Sequence, residues 1–263
     1  MALVSRAMML SLVFFLVYGV ASAQEPISIG ANVNMVSGQE FPNGDPFQRQ
    51  QNEPSVAYSS RNNLHLLAGA NDYRAVDVPG LPGGQETGDS WLSYYWSTNG
   101  GASWQSTLIP GYPQDPSCLG PNPPVLCGYA AGADPVVRAG VNGMFYYSGI
   151  VFDRADPTRS AIFVSRFIDL NNDEGGEPIR YIDTTLVDTN NDGSVFLDKS
   201  WIAVDVPRAE ITDTVAVTQR DGSVVDQTVA CGNIYVGYAA IEGEDEDLRS
   251  EIRMATSADC GNT

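Results

Sequence analysis

Residues 144–153 read MFYYSGIVFD, a run of aromatic and β-branched residues that ends in an acid. Such a run is typical of a buried β-strand. Two counterparts lie on either side of it, LHLLAGAND at 64–72 and NIYVGYAAIE at 233–242, and each also ends in an acid. One structural unit is therefore present three times, and the fold follows from what surrounds each copy.

Each copy has a shorter strand-like run before the central one and another after it. The first runs open on an acid and the third runs close on a serine. The residues that mark the three copies are the acids Glu53, Asp134 and Asp198 and the serines Ser97, Ser165 and Ser257. Short apolar runs between clusters of Gly, Pro, Asn and Asp indicate an all-β chain.

A fourth run, QSTLIPG at 105–111 and IRYIDTTLVDT at 179–189, follows the first two copies. Repeated units of four antiparallel strands predict a β-propeller, with a β-sandwich as the alternative fold. We expect three blades, at about 52–115, 130–190 and 196–263, the third of them incomplete. Because a propeller closes with about four to eight blades, we also expect further blades C-terminal to Thr263.

The N-terminus has the pattern of a secretory signal peptide over residues 1–23. Arg6 precedes an apolar run from Met8 to Val20, and Ala21-Ser22-Ala23 forms a small-residue cleavage site. The apolar run is shorter than the ~20 residues that a helix needs to cross a bilayer, although an uncleaved anchor is the alternative. We expect an exported protein, secreted or periplasmic, that is not transmembrane after cleavage and has a lead-in segment at 24–51.

Charge and cysteine content restrict the partners. The chain has 32 acidic and 14 basic residues, a net charge of −18, which disfavours nucleic acid as a partner.

Four cysteines in an exported chain predict two disulfides, Cys118–Cys127 around a Pro-rich loop and Cys231–Cys260. A four-cysteine metal site is the alternative, but the chain has no CxxC spacing.

One segment has the spacing of a calcium-binding loop. Asp188, Asn190 and Asp192 precede Gly193 in a DxNxDG pattern, and Asp198 follows. Oxygen ligands at this spacing suit Ca²⁺. The bidentate Glu of such loops is absent, so an ordinary Asx turn is the alternative. No other cofactor is indicated.

A turn motif after the third strand points to a known family. The residues are Ser97, Asn99, Gly101 and Trp104 in the first copy, and Ser257, Asp259 and Gly261 in the third. They resemble SxDxGxxW, the Asp-box or BNR repeat of sialidase-superfamily propellers. In that family the motif is structural and lies on the face opposite the active site. The resemblance also places Cys231 and Cys260 on one face, which supports their pairing.

The resemblance assigns candidate site residues on the other face. Arg74 and Asp77 stand where sialidases carry a pocket arginine and the acid/base aspartate. The ends of the central strands add Asp72, Asp153 and Arg154 as candidate substrate-binding residues. The opening acids Glu53, Asp134 and Asp198 would surround one end of the central channel, binding sugar hydroxyls or a cation, or capping strand N–H groups.

One departure from the family bears on function. Asn52-Glu53-Pro54 stands where sialidases have Arg-Ile-Pro, and a glutamate there would repel an anionic substrate. Two functions therefore stay open. The parent protein is either an exported glycosidase acting on sialylated or related glycans, or a non-catalytic propeller that binds a glycan, a glycoprotein or another protein. This chain alone is expected to be inactive as an enzyme.

Overall fold

The computed structural model describes residues 30–36, 38–76, 89–171, 178–206, 212–219, 221–243 and 245–263. The fold is all-β, built from antiparallel sheets whose strands follow one another in sequence, which confirms the predicted fold class at that level. The predicted signal peptide, residues 1–23, and Asp77 lie outside the described residues. Within them, no helix has the length and apolar character needed to cross a membrane.

Two sheets have four strands each. The first sheet contains β1 (Gln51–Tyr58), β2 (Leu66–Asp72), β3 (Trp91–Ser97) and β4 (Gln105–Leu108) in that order. The second contains β5 (Ala131–Ala139), β6 (Met144–Phe152), β7 (Ser160–Asp169) and β8 (Ile179–Asn190). In both sheets, strands that follow one another in sequence pair as neighbours.

The third sheet has β12 (Ile234–Glu242) between β9 (Val195–Val204) and β13 (Arg249–Ser257). A separate hairpin, β10 (Thr212–Thr218) with β11 (Val224–Ala230), is inserted between β9 and β12. The described helical elements are two 3₁₀ turns, Pro116–Leu119 and Asp245–Asp247. The third sheet therefore repeats the strand order of the other two over its first three strands.

The sheets pack face to face through apolar side chains. Leu92 and Tyr147 belong to the core between the first and second sheets. Tyr146 and Val236 belong to the core between the second and third. Because neighbouring residues of β6 point to opposite faces, Tyr146 and Tyr147 serve different cores. The central run that marks the second copy is buried throughout for this reason.

The first strand of each sheet is interrupted at the same register by a β-bulge. The residues at the bulges are Glu53, Asp134 and Lys199, and all three have left-handed backbone, with φ of 52°, 60° and 50°. This conformation is uncommon for residues other than glycine. A bulge turns a strand and redirects its side chains. Because the three bulges are equivalent, they give the three charged side chains the same orientation relative to their strands.

Both predicted disulfides are present. Cys118 and Cys127 have Cα atoms 5.6 Å apart, and the Cα atoms of Cys231 and Cys260 are separated by 5.5 Å. The first bridge closes the Pro-rich loop, and the second ties the start of β12 to the turn after β13. No described cysteine is free. The alternative of a four-cysteine metal site is excluded, since every sulfur is in a bridge.

Gly69 and Gly237 test the sheet packing because they occupy equivalent positions, each one step beyond a bulge. A Cβ on Gly69 would overlap the Tyr147 ring, 2.8 Å from its Cζ, whereas a Cβ on Gly237 meets its nearest atom at 4.0 Å. Tyr147 is held by its hydroxyl, which donates to the Ser93 carbonyl at 2.9 Å. We predict that Gly69→Ala destabilises the chain by about 1–3 kcal/mol through overpacking.

Gly237→Ala is the matched control, because alanine removes unfolded-state freedom there without a clash, and we expect no loss of stability. Urea unfolding followed by circular dichroism measures both variants. Equal losses of free energy of unfolding in the two variants would contradict the packing of the first sheet on the second.

Candidate functional site

The bulge cluster, defined as Glu53, Asp134 and Lys199, gathers one side chain from the first strand of each sheet. Lys199 Nζ lies 3.2 Å from Glu53 Oε2 and 3.2 Å from Asp134 Oδ1. Glu53 and Lys199 are about half to two-thirds exposed, and Asp134 is mostly buried. Residues far apart in sequence thus form one charged, partly open site.

Hydrogen bonds from backbone amides of the second sheet to side chains of the first sheet fix the position of the Asp134 bulge relative to the first sheet. The amide of Asp134 donates to Asn71 Oδ1 at 2.8 Å, and the amide of Val137 donates to Ser55 Oγ at 2.9 Å. Backbone donors on β5, the edge strand of the second sheet, are therefore satisfied by side chains of the first sheet. The cluster is set by the framework, and its side chains do not depend on a flexible loop for their placement.

The surroundings of the two acids in the bulge cluster shift their pKa values in opposite directions. Burial and the adjacent Glu53 carboxyl raise the pKa of Asp134 to about 6, against the opposing effect of Lys199. Hydrogen bonds to Asp134 and Lys199 lower the pKa of Glu53. Although burial opposes it, the two acids raise the pKa of Lys199. Near neutral pH the cluster therefore presents two carboxylates and one ammonium group.

A cavity of about 230 Å³ lies at the bulge cluster. Pro54 and Pro135 line it beside the charged groups, and Trp201 forms part of its wall. Trp201 is 63 % exposed, and the Arg138 guanidinium lies 4.8 Å from the centre of its ring. A flat aromatic surface held by a stacked cation thus borders a site with both hydrogen-bond donors and acceptors.

The third member of this cluster corrects a sequence expectation. Asp198 was expected to join Glu53 and Asp134, but Lys199 holds the equivalent register position. Asp198 pairs with Ala239 one step before the bulge, and its Oδ1 accepts the Lys199 amide at 2.8 Å. A lysine in place of an acid converts a repulsive ring of three carboxylates into a set of mutually attracting groups.

Arg74 and Asp72 form a buried ion pair inside the first sheet. Both side chains are fully buried, and Arg74 Nη2 lies 2.7 Å from Asp72 Oδ2. The Tyr95 hydroxyl donates to the same oxygen at 2.8 Å. Arg74 Nη1 also donates to the carbonyl of Pro42 at 2.8 Å and to Ser106 Oγ at 3.2 Å.

This arrangement changes the interpretation of Arg74 and Asp72 as substrate-binding residues. Their charges neutralise each other in the interior, and every terminal nitrogen of Arg74 has a protein partner. An arginine that binds a substrate carboxylate needs its planar fork free on one side. In the described structure, therefore, Arg74 and Asp72 act within the fold. Asp77, the predicted acid/base partner of Arg74, lies outside the described residues.

Asp153 and Arg154 do not join the bulge cluster. Asp153 Oδ2 pairs with Arg159 Nε at 2.5 Å, and its Oδ1 accepts the Ala130 amide at 3.0 Å. Arg154 is 71 % exposed and is paired with Asp89. Asp153 thus stabilises a surface turn, and Arg154 forms an exposed ion pair. A role of either residue in substrate binding stays a prediction.

The turns after β3 and β13, which carry the motif-like sequences, are made with the same hydrogen bonds. Ser97 Oγ accepts the Gly101 amide at 2.9 Å, and Ser257 Oγ accepts the Gly261 amide at 2.9 Å. Asn99 Oδ1 accepts the Ser103 amide at 2.9 Å, just as Asp259 Oδ1 accepts the Thr263 amide at 3.0 Å. Trp104 Nε1 donates to the Gly101 carbonyl at 3.0 Å. Although burial opposes it, hydrogen bonds from Ser257 and Thr263 lower the pKa of Asp259 to about 2.

The segment with calcium-loop spacing folds into a turn of its own. Asn190 Oδ1 accepts the Gly193 amide at 2.8 Å, and Asp192 Oδ1 accepts the Ser194 amide at 2.9 Å. Asp188 Oδ2 accepts the Tyr238 hydroxyl at 2.8 Å. Among the described residues no three acidic, histidine or cysteine side chains are grouped to hold a metal ion. Calcium binding by Asp188, Asn190, Asp192 and Asp198 stays an untested prediction.

Substitution of Asp72 tests whether the buried ion pair between Asp72 and Arg74 stabilises the fold. We predict that Asp72→Asn lowers the free energy of unfolding by about 3–5 kcal/mol, because Arg74 is left as an uncompensated buried charge. The matched control is Arg154→Gln, which breaks an exposed pair and is expected to change stability by less than about 1 kcal/mol. Urea unfolding measures both variants, and a small effect of Asp72→Asn would contradict the assignment.

A titration tests the bulge cluster. Lys199 favours the ionised form of Asp134, so Lys199→Met is predicted to move the pKa of Asp134 above its value of about 6. Carboxyl ¹³C NMR measures this pKa. Arg253→Met, which removes a cation bound to Asp188 and Glu251, is expected to leave it unchanged. An unchanged Asp134 pKa in Lys199→Met would show that the cluster does not form.

The same pKa has a consequence for stability. The folded value of about 6 exceeds the ordinary 3.8, so the folded state binds more protons than the unfolded state between these pH values. The contribution of Asp134 to the free energy of unfolding therefore falls as pH rises through that window. Asp134→Asn removes this part of the pH dependence.

Comparison of the chain with models of known protein families, with curated proteins and with solved structures gives no match in any of the three.

Proposed function

We propose that the three sheets are blades of an Asp-box β-propeller of the sialidase-superfamily type, and that the bulge cluster binds a neutral carbohydrate without cleaving it. Three observations support the propeller: the repeated strand order, the equivalent bulges in the first strands, and the matching turns after β3 and β13. The two disulfides fit an extracytoplasmic protein, since such bridges persist in oxidising compartments.

The bulge cluster is the single observation on which the ligand proposal depends. Carboxylate oxygens of Glu53 and Asp134 accept hydrogen bonds, and the Lys199 ammonium group donates them, so the site can satisfy both roles of a sugar hydroxyl. Trp201 adds an exposed aromatic face on which the apolar side of a sugar ring can rest. A cavity of about 230 Å³ with these groups suits one sugar unit.

Neutral ligands are favoured over sialic acid for an electrostatic reason. The cluster carries two acids against one base, and Arg74, the predicted anion-binding residue, is committed to Asp72. By alignment on Pro54, Asn52 occupies the position of the family arginine, and Glu53 stands directly beside it. Two acids and one base line the cavity, so a carboxylate-bearing sugar would meet net negative charge inside it, while the Arg138 cation lies on the Trp201 ring outside the lining.

Binding measurements with lactose and 3′-sialyllactose test this proposal, within a wider panel of neutral oligosaccharides. We predict that at least one neutral sugar binds in calorimetry, and that Trp201→Ala and Lys199→Met each weaken binding by about tenfold or more, the loss of roughly 1.4 kcal/mol. The control is Tyr58→Ala, since Tyr58 is also 63 % exposed and lies at the opposite end of β1.

Two outcomes would overturn the ligand proposal. One is tighter binding of 3′-sialyllactose than of lactose, and the other is neutral-sugar binding that is equally weakened by Tyr58→Ala and Trp201→Ala.

Glycoside hydrolysis is the second candidate, favoured by the different pKa values of Glu53 and Asp134. Below its pKa of about 6, a protonated Asp134 beside an ionised Glu53 is the type of pair that supplies a general acid and a base. Release of fluorophore from neutral and sialylated fluorogenic glycosides, abolished by Asp134→Asn, would establish this function in place of simple binding.

A further inference from the structure

A second cavity, of about 460 Å³, follows the one at the bulge cluster along the same three first strands. On β1 it begins at Val56, directly after Ser55, which lines the cavity of the bulge cluster. On β5 the same change occurs between Val136 and Val137. Because β1, β5 and β9 are the edge strands of their sheets, the two cavities are neighbours bordered by the same three strand edges.

The lining of this second cavity, called here the aliphatic cavity, consists mostly of valine and alanine, with Val137 and Val204 among them. Three of its apolar side chains are also open to solvent, since Val56, Tyr58 and Val206 are 60, 63 and 69 % exposed. A ligand that covers such side chains removes apolar area from water, which favours binding. The aliphatic cavity therefore suits an apolar group.

The two cavities differ in chemistry and meet at Arg138. Arg138 lines the aliphatic cavity, and its guanidinium lies 4.8 Å from the centre of the Trp201 ring, which borders the bulge cluster. The Arg138 charge is thus held at the boundary between them. Ser60 and Asp205 are the other polar residues of the aliphatic lining, whereas Glu53 and further charged groups line the neighbouring cavity.

We infer that one ligand occupies both cavities, and that it is a neutral sugar carrying a short alkyl or aryl group on its glycosidic oxygen. The sugar lies at the bulge cluster and the apolar group lies in the aliphatic cavity. From Glu53 to Tyr58 the chain advances five residues along β1, roughly 17 Å, so a ligand that contacts both ends is longer than one sugar ring.

The size of the aliphatic cavity restricts the apolar group. A volume of about 460 Å³ is typical of small-molecule pockets and holds one short chain or one ring. This volume favours a small glycoside over a membrane lipid with two long chains. The inference rests on the proposed carbohydrate site, because the sugar part of the ligand is placed there.

The test compares methyl and hexyl β-glycosides of glucose, galactose and lactose in calorimetry, below the concentration at which the hexyl glycosides form micelles. For at least one sugar we expect the hexyl glycoside to bind about tenfold or more tightly than the methyl glycoside, because the hexyl chain leaves water. Tyr58→Ala is expected to remove most of this gain. Lactose carries no apolar group, so Tyr58→Ala serves as a control for lactose itself.

Phe47→Ala is the matched control for the gain in affinity, because Phe47 is also a partly exposed aromatic residue and lines neither cavity. Equal affinities of the methyl and hexyl glycosides for all three sugars, undetectable binding included, overturn the inference, and the lactose measurements then decide the proposed sugar site separately. Hexyl glycoside binding that Trp201→Ala leaves intact also overturns the inference, since the apolar group would then bind without the sugar.

Discussion

The left-handed bulge in the first strand of each sheet is the constraint on which the rest of the arrangement depends. At Glu53, Asp134 and Lys199 the backbone takes a conformation that costs roughly 1–2 kcal/mol for residues other than glycine. It persists because the freed amides find acceptors on the neighbouring sheet, as Asp134 does on Asn71. Sheet packing and the charged site are thus two results of one backbone feature.

Two buried arginines, Arg74 and Arg166, are paired with acids of the chain and serve the fold. Arg74 is committed to Asp72, and Arg166 lies between Asp183 and Asp213, where it joins the second sheet to the inserted hairpin. Arg166 Nη2 also donates to Asn262 Oδ1 at 3.3 Å, in the turn after β13. These two buried arginines are thus committed to acids of the chain and are not free to hold an anionic sugar.

The sequence predicts most of the strands because long apolar runs with turn residues between them have few other solutions. The disulfide pairs were predictable from loop composition and from the family resemblance. The sequence did not predict that Lys199, and not its neighbour Asp198, joins the bulge cluster. A bulge inserts one residue into a strand, and the spacing of the sequence does not show where. The burial of Arg74 also escaped prediction, since its partners Pro42 and Ser106 are distant in sequence.

Carboxyl–amine cross-linking measures the convergence of the three first strands most directly, because Lys199 is the only lysine of the chain. A carbodiimide joins an amine to a carboxylate only when the two are in contact. We expect intrachain amide links from Lys199 to Glu53 and to Asp134, whose carboxylate oxygens lie 3.2 Å from its Nζ, identified by mass spectrometry of the peptides. Links from Lys199 confined to acids of its own sheet, such as Asp198 or Glu242, would contradict it.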